Sequence, residues 1–218
     1  MPIEVSYYVS KDGSVSFDQP PDLDVFKYPD VIEVIRSVDG FDECEFEEDF
    51  KAVRDNVFKK DPSMWATRYN SVFSDPEYAS SNGWCTSEPP EWWTEKHDIV
   101  SDKALVDYLD RNIYSNQRIV CSNGFNALFA SDCDIVLLGS GSVVGNIYGS
   151  TVGIMVGNAR IGNAYNTSIG SMYDDSSIDY LLGESSINSL SDYARVYCTV
   201  PAESTIATAQ APKISSSY

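Results

Sequence analysis

Residues 150–182, STVGIMVGNARIGNAYNTSIGSMYDDSSIDYLL, carry the pattern that decides the fold of this chain. In and around this stretch, branched apolar residues return every eight or nine positions. The series consists of Val143, Val152, Ile161, Ile169, Ile178, Ile187 and Val196. A small residue stands two positions before each of the last six members, namely Ser150, Ala159, Thr167, Ser176, Ser185 and Ala194. A fixed repeat this short is the signature of a solenoid.

The residue types in the repeat indicate strands and turns. β-Branched and aromatic residues favour strands, whereas glycine, asparagine, aspartate and serine favour the turns between them. Two units, about 18 residues, would complete one coil, because each unit supplies one short strand and one corner. Stacked coils would bring together like residues, namely Ile161 with Ile178 and Val196, and Val152 with Ile169 and Ile187. The repeat therefore predicts a β-solenoid with buried ladders of aliphatic residues.

The chain is predicted to consist of an acidic α+β domain followed by a short β-solenoid (β-helix) with repeats of about nine residues. The α+β domain spans residues 1–115, the solenoid 116–200 and an extended tail 201–218. Residues 117–138 contain short apolar runs without the regular spacing, so they are expected to form irregular first coils that cap the solenoid.

The N-terminal domain begins with alternating apolar residues around the turn Lys11-Asp12-Gly13, which predicts a β-hairpin over residues 3–17. Asp30 is predicted to cap a short helix that ends near Val38. An apolar stripe predicts a second helix over residues 43–59. Further helices are predicted from Asp61 to about Phe73 and over 102–112, with Ser101 as the cap.

Residues 74–98 are predicted to be irregular, and they contain Trp84, Trp92 and Trp93. A loop rich in tryptophan either ties itself to the core or presents large rings to a partner. Both interpretations stay open at this stage, so the three tryptophans are candidate contact residues.

Charge is the second strong signal, because 33 acidic residues oppose 15 basic ones and give a net charge of −18. Residues 1–112 carry a net charge of −14 and residues 113–218 only −4. The acidic candidates for partner binding are Asp39, Asp42, Glu43, Glu45, Glu47, Glu48, Asp49 and Asp55. Such a surface repels nucleic acid and anionic membranes and attracts basic proteins. The alternative is that these charges only maintain solubility.

Residues with recognisable catalytic or metal-binding spacing are scarce. The sequence has one histidine, His97, and five cysteines without a C-x-x-C pair, so we expect no metal site and no cofactor. A catalytic pair of Cys85 and His97 is formally conceivable but disfavoured, since a lone histidine in a loop usually lies on the surface. Nucleotide-binding glycine motifs are missing, and no signal peptide or membrane-spanning segment is expected.

The segment VGNARIGNAY, residues 156–165, resembles the G-N-A/S-x-V repeats of bacterial and phage β-solenoid proteins. The resemblance extends over residues 127–200 and implies an architecture without implying an activity. The hexapeptide acyltransferases need an aliphatic residue every six positions, and calcium-binding nonapeptide repeats need G-G-x-G-x-D. Neither pattern recurs here, which leaves an acyltransferase-like or carbohydrate-active β-helix enzyme as the less favoured class.

The leading expectation is a non-enzymatic protein-binding protein in the cytoplasm of a bacterial host. In its sharpest form it is an inhibitor encoded by a phage or mobile element, resembling an anti-CRISPR protein. Its acidic surface would mimic nucleic acid and occupy the basic groove of a nucleic-acid-binding enzyme. The alternative is a structural assembly module of a virion or surface complex, which self-associates through the solenoid.

Overall fold

A computed structural model describes the chain as two compact units, Met1–Arg111 and Asn112–Tyr218. The described residues are 3–17, 30–38, 47–71, 85–120, 123–191, 193–199 and 205–206. The first unit combines a sheet with helices, and the second is a stack of parallel-strand coils. The predicted fold class, an α+β domain followed by a β-solenoid, is therefore confirmed.

The N-terminal unit contains a five-stranded antiparallel sheet with the strand order β2-β1-β3-β4-β5. Its strands are β1 Ile3–Ser10, β2 Val15–Ser16, β3 Val31–Val38, β4 Ala66–Ser71 and β5 Cys85–Thr86. Its helices are α1 Glu47–Lys59 and α2 Glu95–Asn112, with a 3-10 turn at Pro62–Met64. Lys60, just after α1, forms an ion pair with Asp110 of α2, so the two helices are neighbours.

The predicted hairpin is confirmed as β1 and β2. Asp12 organises its turn, because one carboxylate oxygen accepts hydrogen bonds from the Ser10 hydroxyl at 2.6 Å and from the Ser14 amide at 2.8 Å. These donors, Ser10 foremost, lower the pKa of Asp12 to about 2. Gly13 supplies the left-handed conformation of the turn, with φ of 93°.

The predicted helix after Asp30 is wrong, because Val31–Val38 is the central strand β3. Its β-branched residues fit a strand as well as a short helix, and β1 and β4 supply hydrogen-bonding partners along its two edges. Asp30 does not cap a helix but forms an ion pair with Lys11 at 3.3 Å. The long-range pairing therefore decides the conformation of this segment.

The remaining helix predictions are partly confirmed. Helix α1 matches the described part of the predicted 43–59 segment, with Val53 and Val57 buried. After Asp61 the chain makes only the 3-10 turn and then enters β4. Helix α2 begins at Glu95, inside the segment predicted to be irregular, so Ser101 lies within the helix and does not cap it.

The C-terminal unit consists of two six-stranded parallel sheets, and each coil contributes one strand to each sheet. The first sheet contains β6 Ile113–Ser115, β8 Asn126–Ser131, β10 Val143–Tyr148, β12 Arg160–Tyr165, β14 Ser177–Leu182 and β16 Arg195–Thr199. The second contains β7 Arg118–Ile119, β9 Asp134–Leu138, β11 Thr151–Met155, β13 Ser168–Met172, β15 Ser186–Leu190 and β17 Thr205–Ile206. The solenoid thus extends beyond residue 200, into the segment predicted to be a tail.

The predicted ladders are confirmed with one correction. Ile161 pairs with Ile178, as predicted, but its partner in the preceding coil is Val144 and not Val143. Val144 is fully buried, whereas 43% of Val143 is exposed. The second ladder runs from Ile119 through Ile135 to Val152, so the described residues of 117–138 already form stacked coils rather than the irregular cap that was predicted.

Small buried residues hold the corners of the coils together. The Ser150 hydroxyl accepts a hydrogen bond from the Cys133 amide at 3.0 Å and donates one to the Tyr148 carbonyl at 2.8 Å. Thr167 donates to the Tyr165 carbonyl in the same way one coil later. The residue that precedes this position has a positive φ in four successive coils, at Asn116, Asp132, Gly149 and Asn166. In the next coil Gly183, which also has a positive φ, is separated from the equivalent Ser185 by Glu184. Each coil therefore turns at this corner through one residue in the left-handed conformation.

Candidate functional site

The acidic candidates lie only partly within the described structure. Asp39, Asp42, Glu43 and Glu45 are outside the described residues. Glu47, Glu48 and Asp49 are the first three residues of α1. Asp55 is exposed on the same helix and accepts hydrogen bonds from the guanidinium of Arg54, the shorter at 2.8 Å.

The charge of the N-terminal half is unevenly distributed over its segments. The described residues from 3 to 111 carry sixteen acidic and ten basic residues, a net charge of −6. The undescribed residues up to 111 carry nine acidic residues and one basic residue, a net charge of −8. Most of the acidic surplus thus belongs to segments 18–29, 39–46 and 72–84.

Two of the three candidate tryptophans lie in one aromatic cluster of the N-terminal unit. Trp92 and Trp93 are each half-buried, with ring centroids 5.2 and 5.3 Å from that of His97. Trp93 also contacts Tyr69 of β4 and donates a hydrogen bond to Asp98 at 2.7 Å. These contacts tie the segment before α2 to the sheet, while Trp84 lies outside the described residues.

His97 is buried, contrary to the surface position that was predicted, with 4% of its surface exposed. Its Nδ1 atom accepts a hydrogen bond from the Thr94 amide at 3.0 Å, so the ring carries its proton on Nε2. Nε2 then donates to the carbonyl of Lys11 at 3.1 Å. His97 therefore joins the start of α2 to the hairpin, with both nitrogens bonded to the backbone.

A buried polar cluster that the sequence analysis missed connects α2 to the sheet. The Arg36 guanidinium, on β3, donates hydrogen bonds to Asp102 and to the carbonyl of Pro62, both at 2.8 Å. The Tyr7 hydroxyl lies 2.8 Å from the Ser101 hydroxyl and donates to the Ser101 carbonyl. The one available signal was an arginine within the largely apolar stretch VIEVIRSV. This geometry is that of a polar clamp between helix and sheet.

Comparison with protein-family models, with curated proteins and with solved structures gave no match to the chain. Within the described ranges, no group of three or more histidine, cysteine, aspartate or glutamate residues could hold a metal ion. No helix in those ranges is both long enough and apolar enough to cross a membrane.

Replacing Tyr7 with phenylalanine should lower stability at neutral pH by about 1–3 kcal/mol, because the Ser101 carbonyl and hydroxyl each lose a buried hydrogen-bonding partner. Burial raises the pKa of Tyr7 above its ordinary value. Between these two values the folded state keeps the proton and the unfolded state loses it, so stability falls as pH rises above about 10. The Tyr7→Phe variant should therefore lose less stability than the unmodified protein as the pH rises above about 10. Urea unfolding at neutral pH and at about pH 10.5 measures both effects, and an unchanged alkaline slope would contradict the assignment.

Proposed function

We propose that this protein is a non-enzymatic protein-binding protein, whose acidic N-terminal half contacts a basic partner. The observation that carries the proposal is the unequal charge, a net −14 over residues 1–112 against −4 over residues 113–218. In its sharper form the protein is a phage- or mobile-element-encoded inhibitor, and the partner is a nucleic-acid-binding enzyme such as a CRISPR effector. Acidic residues would then take the place of phosphates in the basic groove of the partner.

The support is electrostatic and concerns residues 39–49 above all. Seven acidic residues and no basic one fall within these eleven positions, and Asp55 follows on the exposed surface of α1. A cluster of like charges accelerates association with an oppositely charged surface, and dissolved salt screens this attraction. Binding through this segment should therefore weaken steeply as the salt concentration rises.

The test begins with affinity capture from a bacterial lysate at about 50 mM and at about 500 mM salt, with captured proteins identified by mass spectrometry. A captured partner is then purified and titrated against a matched pair of double variants. Glu43→Gln with Glu45→Gln removes two charges from the acidic segment, and Asp175→Asn with Glu184→Gln removes two exposed charges from the solenoid.

The proposal expects the first double variant to bind at least about tenfold more weakly, and the second to bind within about twofold of the unmodified protein, because only the first lies at the contact. Equal losses from both variants would indicate a general effect of net charge and would overturn the proposed contact. Binding that does not change with salt would overturn the electrostatic mechanism itself.

A second candidate function, an assembly module, is favoured by the open order of the solenoid sheets. Strands β16 and β17 are terminal in their sheets, and a terminal strand can pair with another chain. Sedimentation velocity over a hundredfold range of protein concentration tests this candidate. A concentration-dependent oligomer that is lost on deletion of residues 201–218 would favour assembly, and a monomer throughout would exclude it.

A further inference from the structure

The outer surface of the first solenoid sheet has two rows of residues that run along the solenoid axis. On β10 and β12 the register places Gly145 beside Gly162, and Asn146 beside Asn163. A β-carbon on Gly162 would lie 2.4 Å from the carbonyl oxygen of Gly145, so these positions carry no side chain. The Asn163 amide donates to the Asn146 side chain at 2.8 Å. Asn146 is buried, whereas Gly145, Gly162 and Asn163 are partly exposed, so the accessible part of this strip consists of backbone and the Asn163 amide.

The same two rows end in aromatic and charged residues on β14 and β16. Asp179 and Tyr180 continue the two rows on β14, and Tyr197 lies opposite Asp179 on β16. The exposed fraction is 38% for Tyr180 and 65% for Tyr197. Together with Arg160 of β12, these residues form what we call the tyrosine platform: Arg160, Asp179, Tyr180 and Tyr197.

An ion pair gives the platform a fixed polar group. Arg160 donates three hydrogen bonds to the Asp179 carboxylate, at 2.6, 3.1 and 3.1 Å. Asp179 is mostly buried while Arg160 is mostly exposed, so the guanidinium is held in place at the surface. The hydrogen bonds and the charge of Asp179 raise the pKa of Arg160, and Tyr197 adds a smaller electrostatic contribution. The Asp179 carboxylate thus binds a planar donor group from β12 and lies opposite an exposed aromatic residue of β16.

We propose that the tyrosine platform and the adjoining strip bind a neutral, linear glycan. Tyrosine rings offer flat apolar faces on which the apolar face of a pyranose ring can stack. The Arg160–Asp179 pair offers donors and acceptors in a fixed geometry that suits neighbouring sugar hydroxyls. Successive strands are about 4.8 Å apart, close to the length of one pyranose unit, so a glycan along the axis would place about one sugar on each strand. Such a glycan would cross the glycine and asparagine rows of β10 and β12 before it reaches the tyrosine platform on β14 and β16.

Charge distinguishes this ligand from single-stranded nucleic acid, which also stacks on aromatic rings beside arginine. The whole chain carries a net charge of −18, which repels a polyanion, and Asp179 already neutralises Arg160. A neutral glycan meets no such repulsion. The inference is independent of the proposed function, because it concerns the solenoid and not the acidic half.

The experiment is calorimetric titration of the full-length protein with cellohexaose, xylohexaose, chitohexaose and maltohexaose, with an oligothymidylate as the charged comparison. We expect at least one hexasaccharide to bind with sub-millimolar affinity. Tyr197→Ala should weaken that binding at least about tenfold by removing the stacking face, and Tyr197→Phe should retain most of it. Tyr173→Ala, which removes an exposed tyrosine that follows β13 of the other sheet, is the matched control.

Three outcomes would overturn the proposal. They are no binding by any of the four hexasaccharides, equal loss from Tyr173→Ala and Tyr197→Ala, or tighter binding of oligothymidylate, which would identify a nucleic-acid surface. Thermal melting of each variant separates a lost ligand contact from a lost fold, because Tyr197 is mostly exposed and its replacement should leave the transition in place.

Discussion

Replacing Val144 with aspartate is expected to abolish the cooperative unfolding transition of the solenoid, whereas the same change at the adjacent Val143 should leave it intact. Val144 is fully buried between Ala127 of the preceding coil and Ile161 of the next. A carboxylate there would lie within an aliphatic core, and burying an unpaired charge costs several kcal/mol even after its pKa has shifted. That is comparable with the whole stability of a domain of this size.

Val143 is the natural control, because it is the same residue type on the same strand and its side chain faces outward. We expect Val143→Asp to change the free energy of unfolding by less than about 1 kcal/mol. Circular dichroism during thermal and urea unfolding measures both variants. If the two variants unfold alike, either the strand is shifted by one residue or the core tolerates charge, and the described register is wrong.

Replacing His97 with alanine should destabilise the N-terminal unit by about 3 kcal/mol. The Thr94 amide and the Lys11 carbonyl would lose their partner in two partly buried hydrogen bonds, each of which contributes about 1 kcal/mol. The change also removes the ring that Trp92 and Trp93 pack against, which adds to the loss. Urea unfolding monitored by tryptophan fluorescence measures the effect.

Two further variants make this prediction specific. Ile99→Ala, on the same helix but with 62% of its surface exposed, should cost less than about 0.5 kcal/mol. His97→Gln should recover part of the loss, because a glutamine oxygen at this position can accept the Thr94 amide as in a capping box. Recovery by glutamine identifies the hydrogen bond as the source, whereas a loss as large as that of alanine would assign the effect to ring packing.

The solenoid could be predicted from the sequence because every coil buries similar residues at equivalent positions. One error arose because Val143 and Val144 are neighbours of one type and a nine-residue interval fits the first. The distinction lies in the coil length, which is 17 residues from Val144 to Ile161 and again to Ile178. A period measured over half a coil cannot resolve a difference of one residue.

The N-terminal unit was harder to predict because its segments depend on distant partners. Residues 31–38 contain an apolar pattern that fits a helix or a strand, and only pairing with β1 and β4 decides between them. His97 and Arg36 acquire their roles from groups far away in sequence, the carbonyls of Lys11 and Pro62. Composition could indicate the acidic segment 39–49, of which residues 39–46 lie outside the described residues.

The corner after Gly183 shows how this architecture can change its size. This corner contains one residue more, Glu184, than the corresponding corner of an earlier coil. The Thr167 amide donates to the Ser185 hydroxyl 18 positions later, whereas the Cys133 amide donates to the equivalent Ser150 hydroxyl 17 positions later. The Asn166 side chain accepts the extra amide at 2.9 Å, and the ladders continue from Ile169 to Ile187 without a shift. Corners therefore absorb changes in length, while duplication of a whole 17-residue coil would lengthen the rod by about 4.8 Å. The solenoid can therefore accept insertions at its corners and can be lengthened by duplication of whole coils.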